Sequence, residues 1–373
     1  MEAAEDCCRL EQPRAEPARR PQIDGLRALA MVGVLYVHLY NDEPVTGGLR
    51  VALFFTVSGF LITHILWTAK ERGESINIMN FYIRRALRLF PALAVLVLVG
   101  ALLDVDGLRS EAFWHLFQMS NVRFTMLEEF KPWVVSHLWS LNVLEQFYLI
   151  WPLVILLLPL PLIYPLTISL TVALCFVQAN ADHLGIGGWA KNMVFSGAPC
   201  AFGAFAYLLQ GHEPTRVVVL TRWSLASSAA VLFSPLFMWE DFGQSLSYRF
   251  LCMPALSIVV VGAFNGYRGP LGWALGSPAA QFVSRISYGV FVYHLLIWWV
   301  VGTAVPSLYT RGFLPFLIVT VLTMLTATAS WYLIERPIAR FKSRFPTAPL
   351  PGPKDELHFA VRSAGLPPTR DPA

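Results

Sequence analysis

The chain has 373 residues, 55% hydrophobic and 14% charged, with a mean hydropathy of +0.54 and a formal net charge of +4. A soluble domain averages about 25% charged residues, so this composition excludes a large soluble domain and describes a polytopic membrane protein. Its basic residues cluster in short segments, a pattern of membrane orientation and not of a nucleic-acid surface.

In chain order, residues 1–20 are polar and charged and read as a disordered tail, not as a cleavable signal peptide. Ten apolar segments follow, at about 25–41, 50–69, 85–103, 138–158, 162–179, 193–210, 223–239, 248–265, 284–304 and 313–334. Each is close to the roughly 20 residues that cross a bilayer core. Residues 104–136 hold no full span, but Phe113, Trp114 and Phe117 suit a piece lying in the interface. The reading is an all-α membrane domain over 21–340, with a disordered cytosolic tail over 341–373. With the N-terminus inside, Lys70, Arg72, Arg84, Arg216, Arg222, Arg268, Arg336 and Arg340 fall on the cytosolic side. Ten spans then place both termini in the cytosol. Five scattered cysteines (7, 8, 175, 200 and 252) form neither a disulfide framework nor a zinc spacing.

Four clusters could carry chemistry. The first is Asp24, Arg27 and His38 on the first span. Eleven residues separate Arg27 from His38, about three turns, so the two share a face roughly 16 Å apart along the axis. An ionisable group inside a span is costly and faces a cavity or a partner. A buried histidine bonded to a neighbouring helix satisfies the same requirement. The second cluster is Arg84, Arg85 and Arg88. Arg85 and Arg88 lie on one helical face, where paired guanidinium groups suit phosphate. Positive-inside anchoring is the plain reading, strongest for Arg84.

The third cluster runs from Ser136 to Tyr148, with His137, Trp139, Ser140 and Glu145. Glu145 lies about two turns into its span and must pair, coordinate or hold a proton. A structural ion pair with an arginine meets that need as well as catalysis does. His137 sits at the outer edge, where a solvated or capping histidine is expected. The fourth is Phe54 to Thr63, where Ser58-Gly59 reads as close helix packing.

These clusters, in this order, resemble the acyltransferase-3 family of integral membrane O-acyltransferases over roughly residues 20–340. Arg27 and His38 are similar to its Arg–ten residues–His signature, and Arg85 and Arg88 to its RxxR motif. FFTVSGFLIT, HLWSL…EQFYLIWP, ISYGVFVYH and Glu335-Arg336-Pro337 resemble further blocks. Two departures stand out. Arg50-Val51-Ala52 replaces the family's usual Gly-Val-Asp, and Leu144 replaces the first acid of Glu-Glu-Gln-Phe-Tyr.

The resemblance implies a cytosolic acyl-CoA donor, acetyl-CoA or another, a hydroxyl-bearing acceptor, and a place in the bacterial plasma membrane. It implies catalysis at His38, with Glu145 and Asp24 as supporting acids. Asp24 is far from His38 along the helix and is expected to pair with Arg27. Arg85, Arg88, Arg27 and Ser58 would handle the donor. His137, Trp139, Ser140, Tyr148, Tyr288 and His294 would face the acceptor, and no metal is expected. A sugar hydroxyl on a surface glycan or lipid-linked precursor is the expected acceptor. A secreted small molecule such as a macrolide is the alternative, and a non-enzymatic transporter the rival class.

Overall fold

The computed structural model describes residues 20–41, 44–74, 76–181, 183–194, 196–211, 228–232 and 246–347. Among them no strand occurs, and the helices satisfy their backbone groups internally, as a bilayer core demands.

Helix α1, Pro21–Leu39, is the central strut. One side of it (Met31, Val34, Leu35 and Leu39) packs into a core with α3 (Ile78–Leu102), α12 (Pro278–Ala304) and α13 (Phe313–Ser330). Another side (Ile23, Leu26 and Ala30) packs into a second core with α2 (Pro44–Glu71), α6 (Leu138–Leu157), α7 (Leu160–Ala179), α9 (Ala198–Gly211) and α10 (Leu246–Asn265). A helix apolar nearly all round belongs in such a place.

Among the described residues, seven helices are long and apolar enough to span a bilayer, or eight if the bent pair is one span. That pair joins residues 251–265 of α10 to α11 (Pro270–Gly276) at 77°. Two of the ten expected spans are not among these. α1 carries Asp24 and Arg27, which lower its mean hydropathy, and it is not among those seven. The span expected at 223–239 lies outside the described residues, apart from a helical turn at 228–232.

Two boundaries move. α3 starts at Ile78 and not at Arg85, because the Asn77 side chain accepts a hydrogen bond from the Asn80 N–H at 3.0 Å and caps the helix. The packed domain also extends beyond 340. Residues 340–344 form a 3₁₀ turn, and the Asn77 N–H donates to the Thr347 carbonyl at 2.8 Å.

The 104–136 segment holds two short helices, α4 (Leu108–Leu116) and α5 (Ser120–Leu127), with Phe113 and Phe117 exposed. A short helix α8, Gly188–Met193, precedes α9. Ser58-Gly59 does mark close packing. A Cβ on Gly59 would lie 2.0 Å from the Cys200 carbonyl oxygen, and one on Gly203 would lie 2.2 Å from that of Thr56. The two glycines interlock α2 and α9, bringing backbone against backbone.

Candidate active site

Between α1, α2, α3, α6 and α12 lies one cavity of about 550 Å³. Its two ends differ in chemistry, and a mostly apolar wall of Met31, Val34, Phe54, Phe55, Leu61 and Leu144 joins them.

One end is cationic, with Arg27, Arg84, Arg85, Arg88 and Lys342. Arg85 and Glu145 form a forked ion pair, with Nε donating to Oε2 at 2.6 Å and Nη2 to Oε1. The Arg85 guanidinium also lies over the Tyr148 ring, 3.2 Å from its centroid. Arg84 donates to the Lys342 carbonyl at 2.9 Å, which pulls the C-terminal turn across this end. Arg27 lies 3.9 Å from Asp24, the partner expected for it, and Ser284 Oγ donates to Asp24 at 3.4 Å. Arg88 forms no hydrogen bond or ion pair among the described residues, and its side chain opens onto the cavity. That is the donor set an anionic phosphate needs: one open guanidinium beside others already held in place.

At the other end is Arg50, on α2. Its Nη2 lies 3.0 Å from His38 Nε2. His38 Nδ1 lies 2.7 Å from His294 Nε2, and His294 Nδ1 lies 2.7 Å from the Phe291 carbonyl oxygen. A carbonyl only accepts, so His294 carries its proton on Nδ1 and accepts at Nε2. His38 therefore carries its proton on Nδ1, and its lone pair, on Nε2, accepts from Arg50. One backbone oxygen sets the tautomer of both rings. The rings stack with centroids 4.9 Å apart. The Arg311 side chain donates to the His38 carbonyl at 3.3 Å.

Of the residues expected from sequence, Arg27, Ser58, Arg85, Arg88, Ser140, Glu145, Tyr148 and Tyr288 line the cavity. Asp24, His38, His137, Trp139 and His294 do not; His38 stands just behind Arg50. The expectation of a solvated or capping His137 is corrected. His137 is 3% exposed, and neither ring nitrogen has a hydrogen-bond partner among the described residues. Its ring packs edge-on against His294 and Phe291, because α12 covers that end of α6. His294, placed on the acceptor in the sequence reading, engages His38 instead.

Arg50 is absent from the sequence candidates, although a charge near the start of an apolar helix is the signal that marked Glu145. Glu335 was seen only as part of a terminal block. It is 4% exposed, accepts from Ser330 Oγ at 2.9 Å, and ends a π-helical turn, Trp331–Glu335. Such turns within α-helices recur at functional sites. Among the described residues no group of three or more His, Cys, Asp or Glu could hold a metal ion.

The acyltransferase-3 family, described as "Acyltransferase domain", matches residues 20–335. The chain is 28% identical over 351 residues to the Peptidoglycan O-acetyltransferase OatA of Listeria monocytogenes, covering 86% of this chain and 56% of that protein. It is 27% identical over 371 residues to the O-acetyltransferase OatA of Staphylococcus aureus strain NCTC 8325, covering 90% and 59%. It is also 28% identical over 352 residues to a protein of S. aureus strain COL named as an O-acetyltransferase, covering 86% and 57%. The chain thus spans less than two thirds of the length of these relatives. No solved structure matches it. Its apolar helices and bacterial relatives make it an integral bacterial membrane protein, and it belongs to the acyltransferase-3 family.

Proposed function

We propose that this protein is a membrane O-acyltransferase that moves an acyl group, acetyl in the first instance, from cytosolic acyl-CoA to a hydroxyl of a carbohydrate-type acceptor. The observation that carries this reading is the single cavity joining an open cationic end at Arg88 to the Arg50–His38–His294 end. Acyl-CoA would supply an activated thioester. Arg88 would hold its phosphates, with Arg85 kept rigid by Glu145 and Tyr148. The inner placement of this end follows from the basic residues around it. On the same reading both termini are cytosolic, and α1 and residues 223–239 complete a count near ten spans.

An alcohol is a poor nucleophile at neutral pH and needs a positioned base. His38 Nε2, the one lone pair its tautomer leaves, would take the acceptor proton. The resulting imidazolium would keep its Nδ1–H bond to neutral His294. The apolar wall would exclude water and strengthen each polar contact. The names of the relatives support a glycan acceptor. A second reading, acylation of a secreted small molecule such as a macrolide, draws on Ala52 and Leu144, which stand where the family resemblance has acids.

The test is release of free CoA thiol from acetyl-CoA by the purified protein in detergent, with sugar-type or macrolide-type acceptors, beside His38→Ala. Release that needs both His38 and one acceptor class supports the proposal and names the acceptor. Turnover that survives His38→Ala overturns the role of His38. No turnover with any acyl-CoA, from folded protein, favours a transporter.

A further inference from the structure

We infer that Arg50 is a displaceable cap on the catalytic base, holding His38 Nε2 until an acceptor hydroxyl takes its place and so sparing the thioester from water. The inference rests on the acyl-transfer reading above.

Three observations lead to it. First, the Phe291 carbonyl leaves His38 one basic nitrogen, Nε2, and Arg50 Nη2 lies 3.0 Å from it. A guanidinium stays protonated and only donates, so this contact exists only while Nε2 is unprotonated. Arg50 competes with anything that would deliver a proton there. Second, Arg50 lines the cavity and His38 does not. Whatever moves up the cavity from the cationic end meets the guanidinium before the imidazole. Third, the Arg50 stem has a fitted seat. A Cβ on Gly33 of α1 would lie 3.4 Å from Arg50 Cβ and 3.8 Å from Cδ, so the stem packs along a glycine face while its head reaches His38. Arg50 stands where the family resemblance has glycine, a residue with no guanidinium to offer.

A cap of this kind couples base activation to acceptor binding. With the cap closed, water in the cavity finds no free lone pair. With a hydroxyl in place of the guanidinium, its proton passes to Nε2 and its oxygen attacks the thioester carbonyl. The C–S bond breaks, and the proton returns from His38 to the departing thiolate. Uncapped without acceptor, the same base would activate water, giving the carboxylic acid and CoA thiol. Among the described residues, the charged and titratable groups facing His38 are Arg50 from α2, His294 from α12 with His137 behind it, and Arg311 from the 305–312 loop.

The experiment uses the full chain in detergent as wild type, Arg50→Met, Arg50→Lys and Arg311→Met. Two readouts are taken: acetyl-CoA hydrolysis without acceptor, and the rate of His38 carbethoxylation by diethyl pyrocarbonate at pH 6, followed by mass spectrometry. Removing the donor frees the Nε2 lone pair, which the closed cap holds with one charge-assisted hydrogen bond worth about tenfold. Arg50→Met should accelerate carbethoxylation about tenfold and raise acceptor-independent hydrolysis by a similar factor. Arg50→Lys should fall between, and it serves if the Met variant melts early. Unchanged rates in folded Arg50 variants would overturn the cap, as would an equal effect of Arg311→Met, which removes a nearby charge without uncapping Nε2. Faster carbethoxylation in a protein that turns over no thioester would leave the cap standing and remove the acyl-transfer reading.

Discussion

Arg85 on α3 and Glu145 on α6 meet through both carboxylate oxygens, with side chains 22% and 14% exposed. Removing one member of a well-enclosed ion pair leaves the other without compensation, at a cost of about 3–5 kcal/mol. Glu145→Ala should therefore lower the melting temperature markedly. The double variant Arg85→Met/Glu145→Leu should recover most of that stability while transfer stays lost. A double-mutant cycle by thermal melting checks this. Near-wild-type melting of Glu145→Ala with lost turnover would assign Glu145 to chemistry instead.

His294 holds the tautomer of His38, so its loss should act on turnover more than on binding. His294→Ala is expected to lower kcat on the order of a hundredfold, the usual scale of general-base assistance, with the KM for donor little changed. Steady-state kinetics with each substrate varied in turn separates the two parameters.

Arg88 is the cavity guanidinium with no hydrogen bond or ion pair among the described residues. Arg88→Met should raise the donor KM about ten- to a hundredfold, the value of one or two charge-assisted hydrogen bonds. The acceptor KM should stay close to wild type. A rise in both would argue that the cavity has collapsed.

The α4–α5 segment should respond to acid. The Arg123 hydrogen bonds at 2.6 and 2.7 Å hold the Glu111 carboxyl below its ordinary value, against a smaller opposing effect of burial. Burial pushes the His115 imidazole down to about 4, an effect that neighbouring Glu111 partly opposes and Arg123 reinforces. Both folded values lie below the unfolded ones. The stabilisation is thus complete above about pH 6.5 for His115 and lost as pH falls toward 4, with the Glu111 contribution lost below its own ordinary range. For His115 the total is on the order of 3 kcal/mol. His115→Leu should flatten the decline between pH 6.5 and 4, as read by melting temperature across pH.

At the α2–α9 crossing, Gly59→Ala would drive a methyl into the Cys200 carbonyl, and backbone has little room to yield. A loss of about 1–3 kcal/mol is expected, the usual scale of overpacking. The same change at Gly48, where an added Cβ meets nothing within 4 Å, should be far milder. Comparative melting of the two variants decides it.

Much of this was readable from residue order. Helix class, the packing role of Gly59 and the shared face of Arg85 and Arg88 follow from periodicity and composition, which act locally. Contacts made across helices were harder to read. His38 and His294 are 256 residues apart, and nothing local in either helix says that they share a hydrogen bond. Arg50 read as a departure from a motif because its partner lies on another helix, although a charge in an apolar run was visible. His137 looked like an edge residue because hydropathy shows where a helix begins but not which neighbour covers it. The number of spans was harder to read at α1, whose Asp24 and Arg27 lower its mean hydropathy.

Phe291 contributes to this site twice, and by separate means. Its ring forms part of the chamber wall, while its main-chain oxygen orders the protons on two imidazoles. Only the first contribution is written in the side chain. Substitutions at 291 can therefore reshape the chamber for a larger or smaller guest while leaving the proton arrangement intact. That position offers a route to altered substrate range without rebuilding the chemistry.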